Sequence, residues 1–219
     1  MSMRWLKNFL LVIVFLAAVR YWLNTKSYIF EEKSIVKLVQ RYGVGDNLQA
    51  SIARITDELE RGYPNLVLPK ERLQWVMLKF SGMTISLTVL YASLTEYVVI
   101  AGSALDTDGY LGRHWSNMTH IVLSGSIKYW REGTSEAKVY HKGESFTTRY
   151  WNTGGMQLKA NTWMIEYGRG FLPLSIPSTI FDGIFTSFDL IGTFKMMRVF
   201  GMAYFYGIKN EIASFIKSI

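Results

Sequence analysis

The feature that most constrains this chain is an apolar run close to its N-terminus. Phe9–Val19 contains eleven apolar residues without interruption, and the wider span Trp5–Leu23 is nineteen residues long. At about 1.5 Å per residue, a helix of that span is roughly 28 Å long, which is about the thickness of one hydrocarbon core. Lys7 and Arg20 lie near its ends, where long basic side chains can reach the membrane interface. We predict an uncleaved transmembrane anchor within residues 1–30. A cleaved signal peptide is the alternative, but no small-residue cleavage site follows the run.

Composition favours a membrane protein and disfavours several other classes. Hydrophobic residues make up 49% of the chain and charged residues only 19%, below the roughly 25% charged that is usual in soluble domains. The formal charge is +7, but the basic residues are scattered, which indicates lipid headgroups rather than nucleic acid as the partner. The absence of cysteine and the presence of only three histidines argue against metal sites. We expect no cofactor.

Helical patterns dominate residues 31–80. The first follows the acidic pair Glu31-Glu32, and the second runs from about Asn47 to Arg61, with apolar residues at spacings of three and four. A third, shorter helix is predicted over Lys70–Phe80.

Residues 81–175 have the character of a β-domain. From Thr84 onward the chain is rich in β-branched and aromatic residues, and turn signals recur at short intervals. Several short strands with regular turns predict a compact barrel or jelly roll that could hold one small ligand. The strand-sized pieces after residue 119 are His120–Lys128, Ala137–His141, Glu144–Trp151, Met156–Lys159 and Thr162–Tyr167.

Residues 176–219 return to helical patterns. One stretch opens at Pro177-Ser178 and a second runs from about Asp189 to Ile216, and together they are rich in aromatic residues and poor in charge. This composition is typical of a helical pair that faces a membrane. Helices that cap the barrel are the alternative.

Two acidic residues stand inside apolar strand patterns. Glu96 lies in SLTEYVVI and Glu166 lies in NTWMIEYG. Carboxylates are seldom buried without partners, and an apolar site favours their protonated form. For Glu96 we favour a structural role in which the carboxylate accepts backbone N–H groups. The pattern alone leaves a structural and a functional role open for Glu166. The sequence contains no catalytic triad order, P-loop or dinucleotide fingerprint.

Several blocks of the chain resemble the sigma-1 receptor and sterol C-8 isomerase family. The blocks are TKSYIFEEKSIVKL beside the anchor, LQWVMLKF at 73–80, YASLTEYVV at 91–99, SGSIKYWREGT at 124–134 and NTWMIEYGRGFLP at 161–173. They are similar to sigma-1 receptors over nearly the whole chain. A more distant similarity to the fungal isomerases rests on GSALDTDGYLGRHW and the acid at Glu166.

The resemblance implies an α+β membrane protein with a single N-terminal transmembrane helix, a cupin-like β-barrel and two C-terminal membrane-associated helices. It also implies residence in the endoplasmic reticulum membrane and nuclear envelope, assembly as a homotrimer, and client membrane proteins as partners.

The resemblance further implies a ligand site for lipophilic cationic amines or steroids. Glu166 would be the charged anchor that pairs with a ligand ammonium, and Tyr97 would orient its carboxylate. The apolar walls would come from Leu87, Val99, Met118, Phe146 and Leu158.

One position departs from the family pattern. The receptors carry a second acid opposite the Glu166 position, and this chain has His120 there. In a carboxyl pair, one member can be protonated while the other is ionised, so the two can act as acid and as anion at once. A lone carboxyl cannot do both. We therefore expect a ligand-regulated receptor with chaperone-like action rather than an enzyme. A sterol Δ8–Δ7 isomerase that uses Glu166 as its catalytic group is the alternative. His120 would pair with Glu166 or, alternatively, face away from it.

Overall fold

The computed structural model describes residues 3–43, 45 and 47–218. Over these described residues the chain forms five α-helices: α1 Met3–Thr25, α2 Glu32–Tyr42, α3 Leu48–Gly62, α4 Ile176–Phe181 and α5 Leu190–Ser218. The same part of the chain contains ten strands: β1 Val76–Phe80, β2 Met83–Ala92, β3 Glu96–Ser103, β4 Thr107–Tyr110, β5 Ser116–Ser124, β6 Ser126–Arg131, β7 Lys138–His141, β8 Ser145–Thr148, β9 Gly154–Leu158 and β10 Thr162–Gly170. Short 3₁₀ turns occupy Lys70–Arg72 and Leu172–Leu174, and a π-helical turn occupies Asp182–Thr186.

Helix α1 is the predicted apolar helix. Its segment Arg4–Thr25 has a mean hydropathy of 1.7 over its most apolar window, none of which is buried against the rest of the protein. Within the described part of the chain, it is the one helix long and apolar enough to cross a membrane. Midway along it, the ring of Phe15 contacts Phe171 edge to face, with centroids 6.3 Å apart.

The strands form two antiparallel sheets. One has six strands in the order β1-β2-β3-β10-β5-β8, and the other has four in the order β4-β9-β6-β7. Side chains from both sheets, such as Val89 and Val99 from the first and Ile127 and Leu158 from the second, meet in one hydrophobic core. The predicted cupin-like arrangement is therefore present as a β-sandwich closed around an apolar interior.

Helices α2 and α3 cover the opposite face of the six-stranded sheet. Ile35 and Ile55 from the helices pack there with Ile100, Ile121 and Ile165 from the strands, and all five are fully or almost fully buried. Because successive strand residues point to opposite faces, residues 100, 121 and 165 face these helices while residues 99, 120 and 166 face the interior of the sandwich.

The predicted helix over Lys70–Phe80 is wrong. A 3₁₀ turn at Lys70–Arg72 is followed by strand β1, in which buried Val76 and Leu78 alternate with Met77, whose side chain is exposed. This period of two fits a strand and not a helix. A two-residue turn joins β1 to β2, and positive φ angles of 54° at Ser81 and 86° at Gly82 are those that a tight hairpin requires.

The predicted single strand His120–Lys128 is in fact parts of two strands from different sheets. The break falls at Gly125, which has a φ of +69° and lies so close to Thr162 that a Cβ atom would stand 2.3 Å from its Oγ1. Only glycine combines this conformation with this approach. The β-branched residues on both sides hide the break in the sequence pattern.

The C-terminal segment consists of short α4, the π-helical turn and long α5. Helix α5 packs on the sandwich through buried Met196, Val199 and Ala203. The segment also leaves many large apolar side chains exposed, at 60% or more of their area for Phe181, Phe185, Phe188, Leu190, Ile191, Phe194 and Phe205.

Candidate ligand-binding site

Strand register brings the central predicted site residues into one row across the six-stranded sheet. Glu166 on β10 lies directly opposite Val99 on β3 and His120 on β5, and His120 lies opposite Phe146 on β8. Directly opposite residues on neighbouring strands point to the same face. The row therefore points into the sandwich interior, among apolar side chains.

The two carboxylate oxygens of Glu166 have different partners. Oε1 accepts a hydrogen bond from the Tyr97 hydroxyl, and Oε2 lies 3.0 Å from Nδ1 of His120. The second contact has the distance of an ion pair, but its atoms are not aligned as in a hydrogen bond. Tyr97 thus directly contacts the carboxylate that it is predicted to orient, and His120 faces Glu166 rather than away from it.

The electrostatics of the site favour an ionised carboxylate. Burial of Glu166 raises its pKa, but the neighbouring His120 and the Tyr97 hydroxyl lower it by more, so the pKa of Glu166 lies below its ordinary value. Burial raises the pKa of Tyr97 well above the usual range, and the negative charge of Glu166 adds to this effect. Tyr97 therefore remains a hydrogen-bond donor and Glu166 remains an acceptor at neutral pH.

His120 is the most enclosed polar member of the site. Its side chain is 1% exposed, whereas that of Glu166 is 16% exposed. The imidazole stacks on Phe146 with ring centroids 4.7 Å apart, and Phe146 stacks in turn on Tyr129 and Tyr140. Nε2 of His120 has no hydrogen-bond partner among the described residues. A buried polar atom of this kind normally finds a water or a ligand, so the site has unused hydrogen-bonding capacity.

The predicted apolar walls lie around this row. Leu87, Val99, Phe146 and Leu158 are buried members of the interior core, and Leu158 is fully buried. Met118 is also buried, two residues before His120 on the same strand face, although it is not part of that core cluster. The carboxylate therefore sits in an apolar environment that still leaves part of its surface accessible.

Glu96 has the structural role that the sequence favours. Its side chain lies on the opposite face of the sheet from Glu166 and is almost completely buried. It accepts hydrogen bonds from the backbone N–H groups of Ile29 and Phe30, at 2.9 and 3.1 Å, and from the Tyr167 hydroxyl at 2.9 Å. These contacts attach the segment that follows α1 to the sheet.

Sequence reasoning missed two features that the structure shows. The first is that the Tyr167 hydroxyl donates a hydrogen bond to Glu96. Because neighbouring strand residues point to opposite faces, the position of Tyr167 next to Glu166 was the signal that it faces away from the Glu166 site. A cavity of about 450 Å³ lies between the β1–β2 hairpin and α4, and Asp182 is one of its lining residues. None of its lining residues belongs to the predicted ligand site, and no local motif indicates it.

The family assignment comes from comparison with known proteins. The model of a family described as "ERG2 and Sigma1 receptor like protein" matches residues 7–210. The sigma non-opioid intracellular receptor 1 of Danio rerio is 35% identical over 198 residues, covering 90% of this chain and 87% of the receptor. That of Gallus gallus is 35% identical over 204 residues, covering 93% of this chain and 90% of the receptor. The erg2 homolog of Dictyostelium discoideum is 29% identical over 149 residues, covering 68% of this chain and 63% of that protein.

Among solved structures, the chain is similar to an RmlC-like cupin from Shewanella frigidimarina, with 16% identity and a TM-score of 0.41 over 48% of this chain and 89% of that one. A predicted oxalate decarboxylase from Thermotoga maritima gives 9% identity and a TM-score of 0.42, over 48% of this chain and 98% of that one. The cupin-like description rests on the two sheets themselves. The extent of the family match is decisive: this chain belongs to the ERG2 and sigma-1 receptor family.

Proposed function

We propose that this protein is a sigma-1-receptor-like membrane protein of the endoplasmic reticulum and nuclear envelope. It binds lipophilic amines or steroids inside the β-sandwich, with Glu166 as the charged anchor, and acts as a ligand-regulated receptor and chaperone for client membrane proteins. As in the family expectation, the assembly is a homotrimer. One observation carries the proposal: Glu166 is largely buried among apolar side chains, its low pKa keeps it ionised, and part of its surface is still accessible.

A carboxylate in this setting is suited to a cationic amphiphile. An ammonium placed against Glu166 would form a charge-assisted contact in a poorly solvated site, where such contacts are stronger than in water. The apolar body of the ligand would replace contacts among the interior side chains. His120 modulates this preference, because a protonated imidazole competes with an ammonium for the same oxygen, whereas a neutral imidazole offers a hydrogen bond to a steroid hydroxyl.

Two structural features support a membrane location for this binding protein. Helix α1 has the length and hydropathy of a membrane-spanning helix. The C-terminal segment exposes a run of large apolar side chains that water would solvate poorly. A membrane that covers both would deliver lipophilic ligands directly to the sandwich.

The alternative of a sterol isomerase receives less support from the site. Shifting a sterol double bond requires a group that protonates the alkene and a group that stabilises the cation and accepts the second proton. Glu166 is held in its ionised form, and its two partners are a phenol and an imidazole rather than a second carboxyl. The acid pair that would divide these tasks is therefore replaced by one carboxylate and His120.

Ligand binding by charge variants of the purified protein in detergent tests the proposal. Glu166→Gln is expected to weaken binding of a lipophilic tertiary amine about 100-fold, since a charge-assisted contact contributes about 3 kcal/mol. His120→Asp is expected to tighten binding because it removes the competing imidazole and adds a second acid, while His120→Asn separates the effect of volume from that of charge. Glu71→Gln, at an exposed position, is the matched control.

Two results would contradict the proposal. Unchanged amine binding in Glu166→Gln would show that the anchor is elsewhere. Conversion of a Δ8 sterol to its Δ7 isomer in an isomerase-deficient cell that expresses this chain would establish the enzymatic alternative instead.

A further inference from the structure

We infer that the preferred ligand of the Glu166 site is a lipophilic amino alcohol whose hydroxyl binds between His120 and Thr148. The inference rests on the proposed function, because it takes the ammonium contact at Glu166 as given and assigns a second polar group of the same ligand. Two buried polar atoms carry it, Nε2 of His120 and Oγ1 of Thr148. Neither has a hydrogen-bond partner within the described part of the chain, and both residues are 1% exposed.

Strand register places these two side chains on the same face of the six-stranded sheet. His120 on β5 lies opposite Phe146 on β8, and Met118 lies opposite Thr148. Since alternate residues of a strand share a face, Thr148 faces the sandwich interior together with Phe146. Thr148 is thus diagonal to His120, and residues in this relation lie about 7–8 Å apart. One small polar group can therefore lie between the two side chains and contact both.

The imidazole of His120 has one nitrogen beside the carboxylate and one directed away from it. Nδ1 lies 3.0 Å from Oε2 of Glu166, whereas Nε2 is the nitrogen that has no partner. Phe146 stacks on the ring with centroids 4.7 Å apart, which fixes the plane in which a hydrogen bond to Nε2 must lie. A ligand ammonium at Glu166 and a ligand hydroxyl at Nε2 would therefore not compete for the same atom.

The two unsatisfied atoms favour a hydroxyl over other polar groups. The ionised carboxylate beside Nδ1 favours the neutral tautomer that carries its proton there, and Nε2 then accepts a hydrogen bond. In a protonated imidazole Nε2 donates instead. A carbonyl oxygen only accepts and an ammonium only donates, so each fits one state alone. A hydroxyl does both, so it can pair with Nε2 in either state and also with the hydroxyl of Thr148.

The test compares dimethyl(phenylhexyl)amine with its isomeric analogues that each carry one hydroxyl on the hexyl chain. Affinities are measured by calorimetric titration of the full chain in maltoside. The best isomer should bind the wild-type protein about tenfold more tightly than the parent amine, as expected for one to two neutral hydrogen bonds. The readout is the ratio of the two affinities in each variant, so that effects common to both ligands cancel.

Substitutions at the two side chains should change this ratio in different ways. Thr148→Val keeps the shape of the side chain and should reduce the hydroxyl advantage to about threefold, whereas Thr148→Ser should preserve it. His120→Phe removes Nε2 and should abolish the advantage. Thr88→Val is the matched control. Thr88 is also fully buried, with a hydroxyl that is unpartnered among the described residues. It lies opposite Ile100, however, on the face covered by α2 and α3, so this variant should keep the full advantage.

The outcomes separate this inference from the proposed function. Suppose that the parent amine binds and Glu166→Gln weakens it, but no isomer binds the wild-type protein more than twofold better. The hydroxyl inference then fails and the proposed function stands, since water satisfies the two atoms equally well. An advantage that persists undiminished in Thr148→Val or His120→Phe, or that disappears in Thr88→Val, would place the hydroxyl elsewhere and also overturn the inference. Absence of binding by the parent amine and by every isomer would overturn both proposals.

Discussion

Replacing Glu96 by glutamine removes one charge from the centre of a buried hydrogen-bonded cluster. In the wild-type protein, one oxygen of Glu96 accepts from Ile29, and the other accepts from Phe30 and Tyr167. A glutamine amide has one oxygen and one NH₂ group. If its oxygen takes the position that faces Phe30 and Tyr167, its NH₂ group confronts the N–H of Ile29, donor against donor. One acceptor is lost, and the two remaining contacts lose their charge assistance.

The expected destabilisation follows from these contacts. A hydrogen bond to a charged group contributes roughly 1.5–3 kcal/mol and one to a neutral group roughly 0.5–1.5 kcal/mol. Losing one charged contact and weakening two others should lower the free energy of unfolding by about 3 kcal/mol. For a protein of 150–250 residues, 1 kcal/mol corresponds to about 2–4 °C in melting temperature, so Glu96→Gln should lower it by about 6–12 °C. Tyr167→Phe removes one donor only and should lower it by about half as much.

Thermal unfolding of the variants in detergent, followed by the fluorescence of the seven tryptophans, measures this effect. Ligand binding at a temperature where each variant is folded provides the second readout. Glu96→Gln should melt early but bind amine normally when folded, whereas Glu166→Gln should lose binding with the smaller change in melting temperature. A melting temperature of Glu96→Gln within about 2 °C of the wild-type value would refute the hydrogen-bond argument. Loss of amine binding by folded Glu96→Gln would refute the assignment of a structural role to Glu96 and a ligand-binding role to Glu166.

Two further predictions concern pH and backbone space. Because the folded pKa of Glu166 is lower than its unfolded value of about 4.3, its contribution to stability is present above that pH and is lost as the pH falls through the folded pKa. The difference in melting temperature between wild type and Glu166→Gln should therefore shrink below about pH 4, and a constant difference would contradict this. Gly109→Ala would place a Cβ 1.9 Å from the carbonyl oxygen of Ser81, whereas Gly133 has a φ of +81° and open space around it. Gly109→Ala should abolish folding or cost well above 3 kcal/mol, against about 1 kcal/mol for Gly133→Ala, and equal melting temperatures would contradict this.

Much of the fold could be predicted because its signals are local. The apolar run of α1, the amphipathic periods of α2 and α3, and the β-branched content of the sheet all lie in contiguous stretches. The prediction failed where tertiary contacts decide the outcome. Phe80 ends a strand rather than a helix because β1 is completed by hydrogen bonds to β2. Gly125 ends a strand because Thr162 approaches it, and no neighbour in sequence reveals that approach.

The site residues were identified by family resemblance, since their grouping depends on strand register. Alternation predicts that Glu166 and Tyr167 face opposite ways, but it cannot predict that Glu166 lies beside Val99 and His120. A register shift of one residue would exchange the two faces of a strand. The cavity at Asp182 was missed for a related reason, because it is formed by a hairpin and a helix that are about 100 residues apart in the chain.

The two carboxylates of the six-stranded sheet show what separates a structural acid from one that can bind a ligand. Glu96 pairs with Arg169, three positions after Glu166, and an odd separation on one strand places the two acids on opposite faces. Burial does not distinguish them in kind, since both lie among apolar side chains. They differ in how much of each carboxylate remains free to bind another group. Glu96 is 1% exposed and accepts hydrogen bonds from three donors of the protein, so little of its carboxylate is left for a ligand. Glu166 has one hydrogen-bond donor and one imidazole contact, and 16% of its side chain remains accessible, so its charge can still attract a partner.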